Sequence, residues 1–320
     1  MGDKTTCEVS SMYSEVKDPA LERAINAMPG WADADRVEAE YISGGITNRN
    51  YCVRVEGTPF FVRLAGERTE ALGIDRDNER RTVEEAARVG VGPRVVAYLP
   101  DSGCLITEWI EGAPVPPESL RQRDMLALLV RSLKAFHGAR SGIPGRFSPF
   151  LVVEQYRRFV EDHGLAVPDV YWWLLERAGE IEEAFQESPS PLCPCHNDLL
   201  NANFLLCDGR MMIVDYEYAG MGDVFFDLGN LSVNHEFDDA TDQVLLELYF
   251  GEVAPARVAR LKLMRLMSDF REAMWGVMQQ VLSDLDFDYV DYANKHFARC
   301  RENAEDEQYQ SWLRDAAREV

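Results

Sequence analysis

Hydrophobic and polar positions change their period part-way along the chain. From Val37 onward the apolar residues come in short runs, 39–42, 51–55, 60–64, 94–99 and 104–109, broken by turn formers such as Gly57-Thr58-Pro59. Runs of that length predict a small antiparallel sheet. One helical pattern, 74–89, interrupts it, and another with Leu21, Ile25 and Met28 on one face precedes it and stops at Pro29-Gly30. Beyond Pro117 the spacing is almost wholly helical, over 120–137, 152–163, 171–186 and from about 239 to the end. The proline-rich Ala113-Pro114-Val115-Pro116-Pro117 between the two textures reads as a hinge. A sheet-rich lobe with one helix, a hinge and a helical lobe make an α+β, bilobal, protein-kinase-like arrangement the expected fold class.

Composition adds bounds. At 320 residues and 46% hydrophobic the chain is long enough to bury a sizeable core in one two-lobed unit or two domains. With 33 basic against 55 acidic residues and a net charge of −22, nucleic acid and anionic membranes are poor partners, whereas a cationic substrate is compatible. No run of about 18 apolar residues appears, and MGDKTTCEVSS lacks the apolar core of a signal peptide, so a cytoplasmic location is expected. Seven scattered cysteines suggest reduced thiols. Cys193, Cys195 and His196 lie close together, but no second Cys/His pair follows at zinc spacing, and they read as buried thiols beside a loop.

The chemistry concentrates in residues 195–230, where strand-like runs return inside the helical half. His196, Asp198 and Asn203 give HxDxxxxN, a loop pattern that aims a carboxylate at a substrate hydroxyl and an amide oxygen at a metal. Asp215 closes the short apolar run Met211-Met212-Ile213-Val214, which follows a turn at Asp208-Gly209. One acid near a nucleophile and two oxygen ligands for Mg²⁺ suit phosphoryl transfer. In the sheet-rich half, Ser43-Gly44-Gly45-Ile46-Thr47-Asn48 has the glycines and small hydroxyls to close backbone N–H groups over phosphates. Arg63, a cation in an apolar strand, wants a partner, and Glu79 on the following helix could supply it in the manner of kinases.

With these features in order, the chain resembles the choline/ethanolamine kinase family, related to the aminoglycoside phosphotransferases. The likeness spans roughly residues 40–300 and rests on ISGGITN, IDRDNE, EWIEG, HNDLLNAN, VDYEYA with FDLGN, and Trp275-Gly276 leading to 286–293. It implies an N-terminal helical extension over 1–35, a nucleotide-binding lobe and hinge over 36–112, and a C-lobe over 113–320 that carries catalytic loop and acceptor site. Asp198 would orient and deprotonate the acceptor hydroxyl, Asn203 and Asp215 would hold Mg²⁺, and Glu217 would serve a second metal or the substrate's charge. ATP would be bound by Ser43, Gly44, Gly45, Thr47 and Asn48 over its phosphates, by Arg63 braced by Glu79, and by backbone groups of Glu108 and Ile110 at adenine. Asp227 and His196 would brace the loop.

The acceptor implied is choline or ethanolamine, a small cationic amino alcohol, phosphorylated by a monomer or homodimer. A quaternary ammonium has no hydrogen to donate, so aromatic faces must select it; the candidates are Tyr218, Trp275 and Tyr292, with Phe287 and Tyr289 further out. Two features depart from eukaryotic choline kinases, Met278 in place of a second tryptophan and few aromatics after FDLGN, and the chain looks more like bacterial members. An aminoglycoside-type phosphotransferase and a non-catalytic nucleotide-binding pseudokinase are the alternatives.

Overall fold

Asp18 starts the first folded unit. Its carboxylate caps α1 (Pro19–Ala27) by accepting the Ala20 amide, and a proline at the first helical position presets φ. The same carboxylate takes the Tyr51 hydroxyl at 2.7 Å and Arg49 at 2.6 Å, which ties the start of the helix to the sheet beneath. That sheet is antiparallel, in the order β1-β2-β3-β5-β4, from β1 (Val37–Ile42), β2 (Arg49–Val55), β3 (Thr58–Leu64), β4 (Val95–Leu99) and β5 (Cys104–Glu108). Leu21, Ile25, Met28 and Trp31 join Val53, Val62, Leu64 and Ile106 in one apolar cluster between helix and sheet. The computed structural model describes residues 18–43, 48–66, 68–140, 142–283 and 287–318. Gly44, Gly45, Ile46 and Thr47 of the glycine-rich loop lie outside them.

The β2–β3 turn falls one residue earlier than its proline suggests. Val55 pairs with Thr58, so the turn is Glu56-Gly57, with φ of 49° and 80°. Two successive positive φ values match the twist of a two-residue hairpin, and that geometry outweighs the turn preference of Pro59, which lies inside the strand opposite Arg54.

Of the described residues, those up to 66 and 94–109 form this unit, and those from 68 to 93 and from 110 onward the second. The helix α2 (Arg76–Arg88), which chain order alone places with the sheet, folds with the second unit. Its Asn78 side chain donates to the Ala219 carbonyl at 2.7 Å and accepts the Gly145 amide at 2.7 Å, satisfying two backbone groups of other segments.

The rest of the second unit is mostly helical: α3 (Arg123–His137), α4 (Pro149–His163), α5 (Val170–Glu187), α6 (Val224–Asn234), α7 (Asp239–Phe250), α8 (Pro255–Leu282), α9 (Tyr289–Ala304) and α10 (Tyr309–Ala316). Two small sheets carry the loops between them. One has the order β6-β8-β9, from β6 (Ala113–Pro114), β8 (Phe204–Cys207) and β9 (Arg210–Ile213); the other pairs β7 (Cys193–Cys195) with β10 (Gly220–Gly222). The β8–β9 hairpin turns at Asp208-Gly209, both at positive φ, as their sequence requires. Antiparallel sheet in one unit and helices in the other are the expected α+β, kinase-like architecture. Among the described residues no helix is long and apolar enough to cross a membrane.

Helix α8 is the axis of the second unit and packs against α6 and α9. Gly229 of α6 lies so close to it that a Cβ there would stand 2.7 Å from the Met264 carbonyl carbon, and Gly276 of α8 would bring a Cβ within 3.0 Å of the Tyr292 ring. Backbone cannot yield as a flexible side chain can, so Gly229→Ala should force α6 and α8 apart and destabilise by about 1–3 kcal/mol. A lower urea midpoint with an unchanged slope is expected; an unchanged midpoint would contradict the close approach.

Candidate active site

The segment after β7 turns back on itself, and backbone groups held by buried side chains define its path. Asn197 has a φ of +66°, a conformation that a non-glycine residue keeps only when its surroundings fix it. Asp227, fully buried on α6, supplies that fixation: its carboxylate accepts the His196 amide at 2.8 Å, the Asn197 amide at 2.7 Å and the His137 ring at 2.9 Å. Burial alone would raise the Asp227 pKa, but the His137 hydrogen bond, the neighbouring imidazoles and the His196 amide outweigh it and hold the acid below its usual range. The His196 ring spans the loop. Its Nε2 faces the Val214 carbonyl at 3.0 Å while its Nδ1 accepts the Asp198 amide at 3.2 Å, an arrangement that selects the neutral tautomer with the proton on Nε2. Asn230 completes the brace by accepting the Leu199 amide at 2.6 Å and donating to Ser268 on α8.

Asp198 is thereby presented from a fixed loop. Burial pushes its carboxyl up to about 7; the Arg271 guanidinium opposes the rise, the charges of Glu272 and Glu217 add to it, and the Asn203 side chain lowers it. A carboxyl tuned near neutrality can take a proton from a hydroxyl at working pH. Asn203 donates its amide to the Asp198 carbonyl at 2.9 Å, which directs its own side-chain oxygen away as an acceptor. The Val214 amide bonds the Asn203 carbonyl at 3.0 Å and brings the residue before Asp215 against that turn; Asp215 has a φ of +66°. A carboxamide oxygen and a carboxylate are the hard donors that Mg²⁺ prefers, so this donor set fits that ion.

Around Asp198 the second unit assembles charges that sequence reading missed. Arg271, 1% exposed in the middle of α8, contacts Glu272 Oε1 at 2.6 Å, the Asn197 carbonyl at 3.2 Å and Asp198 Oδ1 at 4.0 Å. Arg76 at the start of α2 bridges Glu79 at 2.8 Å and Glu217 at 2.9 Å. A signal for Arg271 is in the chain, since it breaks the apolar face Met267, Phe270, Met274 of a helix. Nothing in the spacing joins Arg76 to Glu217, which lie 141 residues apart.

The aromatic candidates also meet here. Trp275 donates its indole N–H to the Tyr218 hydroxyl at 3.0 Å and stands edge-on to Tyr289 and Tyr292, at centroid separations of 5.9 and 5.5 Å. Phe287 lies beyond, against Tyr289 and Tyr292, and is 43% exposed. Tyr292 donates to Glu272 Oε2 at 2.7 Å. The first unit holds the remaining candidates. Ser43 is exposed in a turn, Asn48 is buried and accepts the Gly66 amide, Arg63 is buried on β3 and donates to the Gly103 carbonyl, and Glu108 pairs with Arg94 at 3.0 Å. Ile110 follows in the second unit, half-buried.

A two-unit α+β fold with this loop defines a kinase-like phosphotransferase. Residues 38–261 match the phosphotransferase enzyme family. The solved choline/ethanolamine kinase family protein of Mesorhizobium loti is 31% identical and superposes with a TM-score of 0.80 over 93% of this chain and 98% of that one. Mouse ethanolamine kinase 2 is 29% identical over 89% of this chain and 80% of its own length. Choline kinase LicA of Streptococcus pneumoniae, 23% identical, shares the fold with a TM-score of 0.71 over 82% of this chain and 93% of its own. The chain belongs to the choline/ethanolamine kinase family, within the phosphotransferases that act on an alcohol group.

The raised carboxyl of Asp198 has a consequence for stability. An unfolded aspartate loses its proton near pH 4, while the folded one keeps it to about pH 7. Over that window the folded state binds more protons than the unfolded one, so this group's contribution to stability falls as pH rises through it. Asp198→Asn removes the penalty and should melt above the wild type at pH 8, by a margin that shrinks towards pH 5. A variant melting below the wild type at pH 8 would contradict the assignment.

Proposed function

We propose that the protein transfers the γ-phosphoryl group of ATP, bound with Mg²⁺, to the hydroxyl of choline or ethanolamine. The observation that carries this reading is the half-buried Asp198 carboxyl, held on a braced loop, shifted up towards neutrality and flanked by Glu217, Glu272 and the Tyr218, Trp275, Tyr292 cluster in one folded unit. The acceptor oxygen forms a bond to the γ-phosphorus as the bridge to the β-phosphate breaks and ADP leaves; the hydroxyl proton passes to Asp198. His196 and Asp227 keep the carboxylate in place and take no part in the transfer. Asn203 and Asp215 would hold Mg²⁺, whose charge offsets that on the transferred group when bound.

For the nucleotide, the reading assigns segment 43–48 to the phosphates, including Gly44, Gly45 and Thr47, Arg63 with Glu79 to their charge, and backbone groups of Glu108 and Ile110 to adenine. On the acceptor side, Glu217 attracts the positive nitrogen and Trp275, Tyr289 and Tyr292 with Phe287 shape its wall. Helices α8 and α9 close tightly around that wall at Gly276, which favours a small acceptor over a multi-ring antibiotic.

An ADP-release assay against choline, ethanolamine, thiamine and a panel of aminoglycosides tests this. Turnover with an amino alcohol, abolished by chelator and restored by Mg²⁺, is expected; turnover with aminoglycosides alone would overturn it. Asp198→Asn should lower kcat at least ~10²-fold while the protein stays folded. Unchanged turnover in that variant would mean that another group accepts the proton.

A further inference from the structure

The acceptor wall contains a cation that belongs to the protein itself. The Arg271 guanidinium carbon lies 4.2 Å from the centroid of the Tyr218 ring. Its place is not that of a wandering surface side chain: the residue is 1% exposed and is held by Glu272 and by the Asn197 carbonyl. The Tyr218 ring is fixed as well, because Trp275 binds its hydroxyl. One face of the aromatic residue expected to receive a quaternary ammonium is therefore already covered by a guanidinium.

The carboxylates nearby are arranged differently. Glu272 meets Arg271 through Oε1 and Tyr292 through Oε2, and Glu217 meets Arg76 through Oε2; each carboxylate oxygen can accept two hydrogen bonds. Both acids act electrostatically on Asp198. A primary ammonium and a trimethylammonium carry the same charge and meet the same repulsion from Arg271. Only the primary ammonium has N–H groups to give to Glu217 and Glu272. The trimethylammonium depends on aromatic faces, and Arg271 has taken one of them.

We propose that Arg271 is a specificity-determining residue, which makes the acceptor site select a primary-amine alcohol over its trimethylated counterpart. The proposal rests on the reading of this protein as an amino-alcohol kinase and adds to it the residue that sets the choice. Replacing Arg271 by an uncharged side chain uncovers the Tyr218 face. Glu272 would then lose its cationic partner and keep only the Tyr292 hydroxyl, so the pair is best changed together.

The test measures kcat/KM for ethanolamine and for choline in the wild type, in Arg271→Met and in Arg271→Met with Glu272→Gln, with the KM for ATP followed in parallel. The wild type should favour ethanolamine at least tenfold. The variants should move the ratio at least tenfold towards choline, through the acceptor KM and with the ATP KM little changed. A second measurement needs no variant: tetramethylammonium, which has neither hydroxyl nor N–H, should fail to compete with ethanolamine at concentrations where methylammonium does. A wild type that uses choline as well as ethanolamine, competition by tetramethylammonium, or a ratio unmoved in a folded variant would each overturn the role of Arg271 and leave the kinase reading standing. Turnover of neither amino alcohol would remove both.

Discussion

The site depends on one fully buried carboxylate, which holds the loop that carries Asp198. Asp227 sits at the start of α6 with no exposure, and three donors converge on it, two of them the backbone amides of His196 and Asn197. Taking a carboxylate out of water costs several kcal/mol, and charge-assisted hydrogen bonds of about 1.5–3 kcal/mol each offset that cost only when they are all made. The loop therefore has one conformation in which Asp227 is satisfied. In that conformation Asn197 adopts its positive φ and Asp198 projects from the turn. Rigidity at Asp227 becomes position at Asp198.

Helix α8 turns that position into chemistry. Over Ser268 to Gly276 it supplies the hydroxyl that anchors Asn230, the Arg271-Glu272 pair beside Asp198, the Trp275 indole and the glycine that lets α9 bring Tyr292 in. A charged pair buried on a helix costs desolvation, and its value lies in what it arranges. Here Arg271 opposes part of the burial-driven rise at Asp198 and covers the Tyr218 ring, while Glu272 adds to that rise and accepts the Tyr292 hydroxyl. The aromatic cluster and Asp198 share one scaffold, so a change on α8 is felt by both.

What the chain discloses by itself follows from how local each feature is. The strands of the first unit, the Asp208-Gly209 hairpin and the spacing from His196 to Asp215 are set by neighbours in sequence, and each lies within a residue or two of its expected bounds. The Glu56-Gly57 turn was obscured because the proline next to it is a strong turn signal, although hairpin twist decides the matter. Long-range partnerships were not legible. Arg76 with Glu217, and Asn78 with Ala219 and Gly145, join segments that no periodicity relates, and they draw α2 into the second unit. The aromatic residues were found by likeness to a family, but which of their faces are covered depends on Arg271, whose side chain only the folded helix places.

The protein is expected to make a phosphate ester at the hydroxyl of a small amino alcohol. Phosphorus NMR of a reaction holding ATP, Mg²⁺ and ethanolamine tests it most directly, because the spectrum separates γ-phosphate loss from the identity of what receives it. A phosphomonoester resonance coupled to the carbinol protons should grow as the γ-phosphate resonance falls, in equal amounts. Growth of inorganic phosphate alone, with no ester, would contradict it.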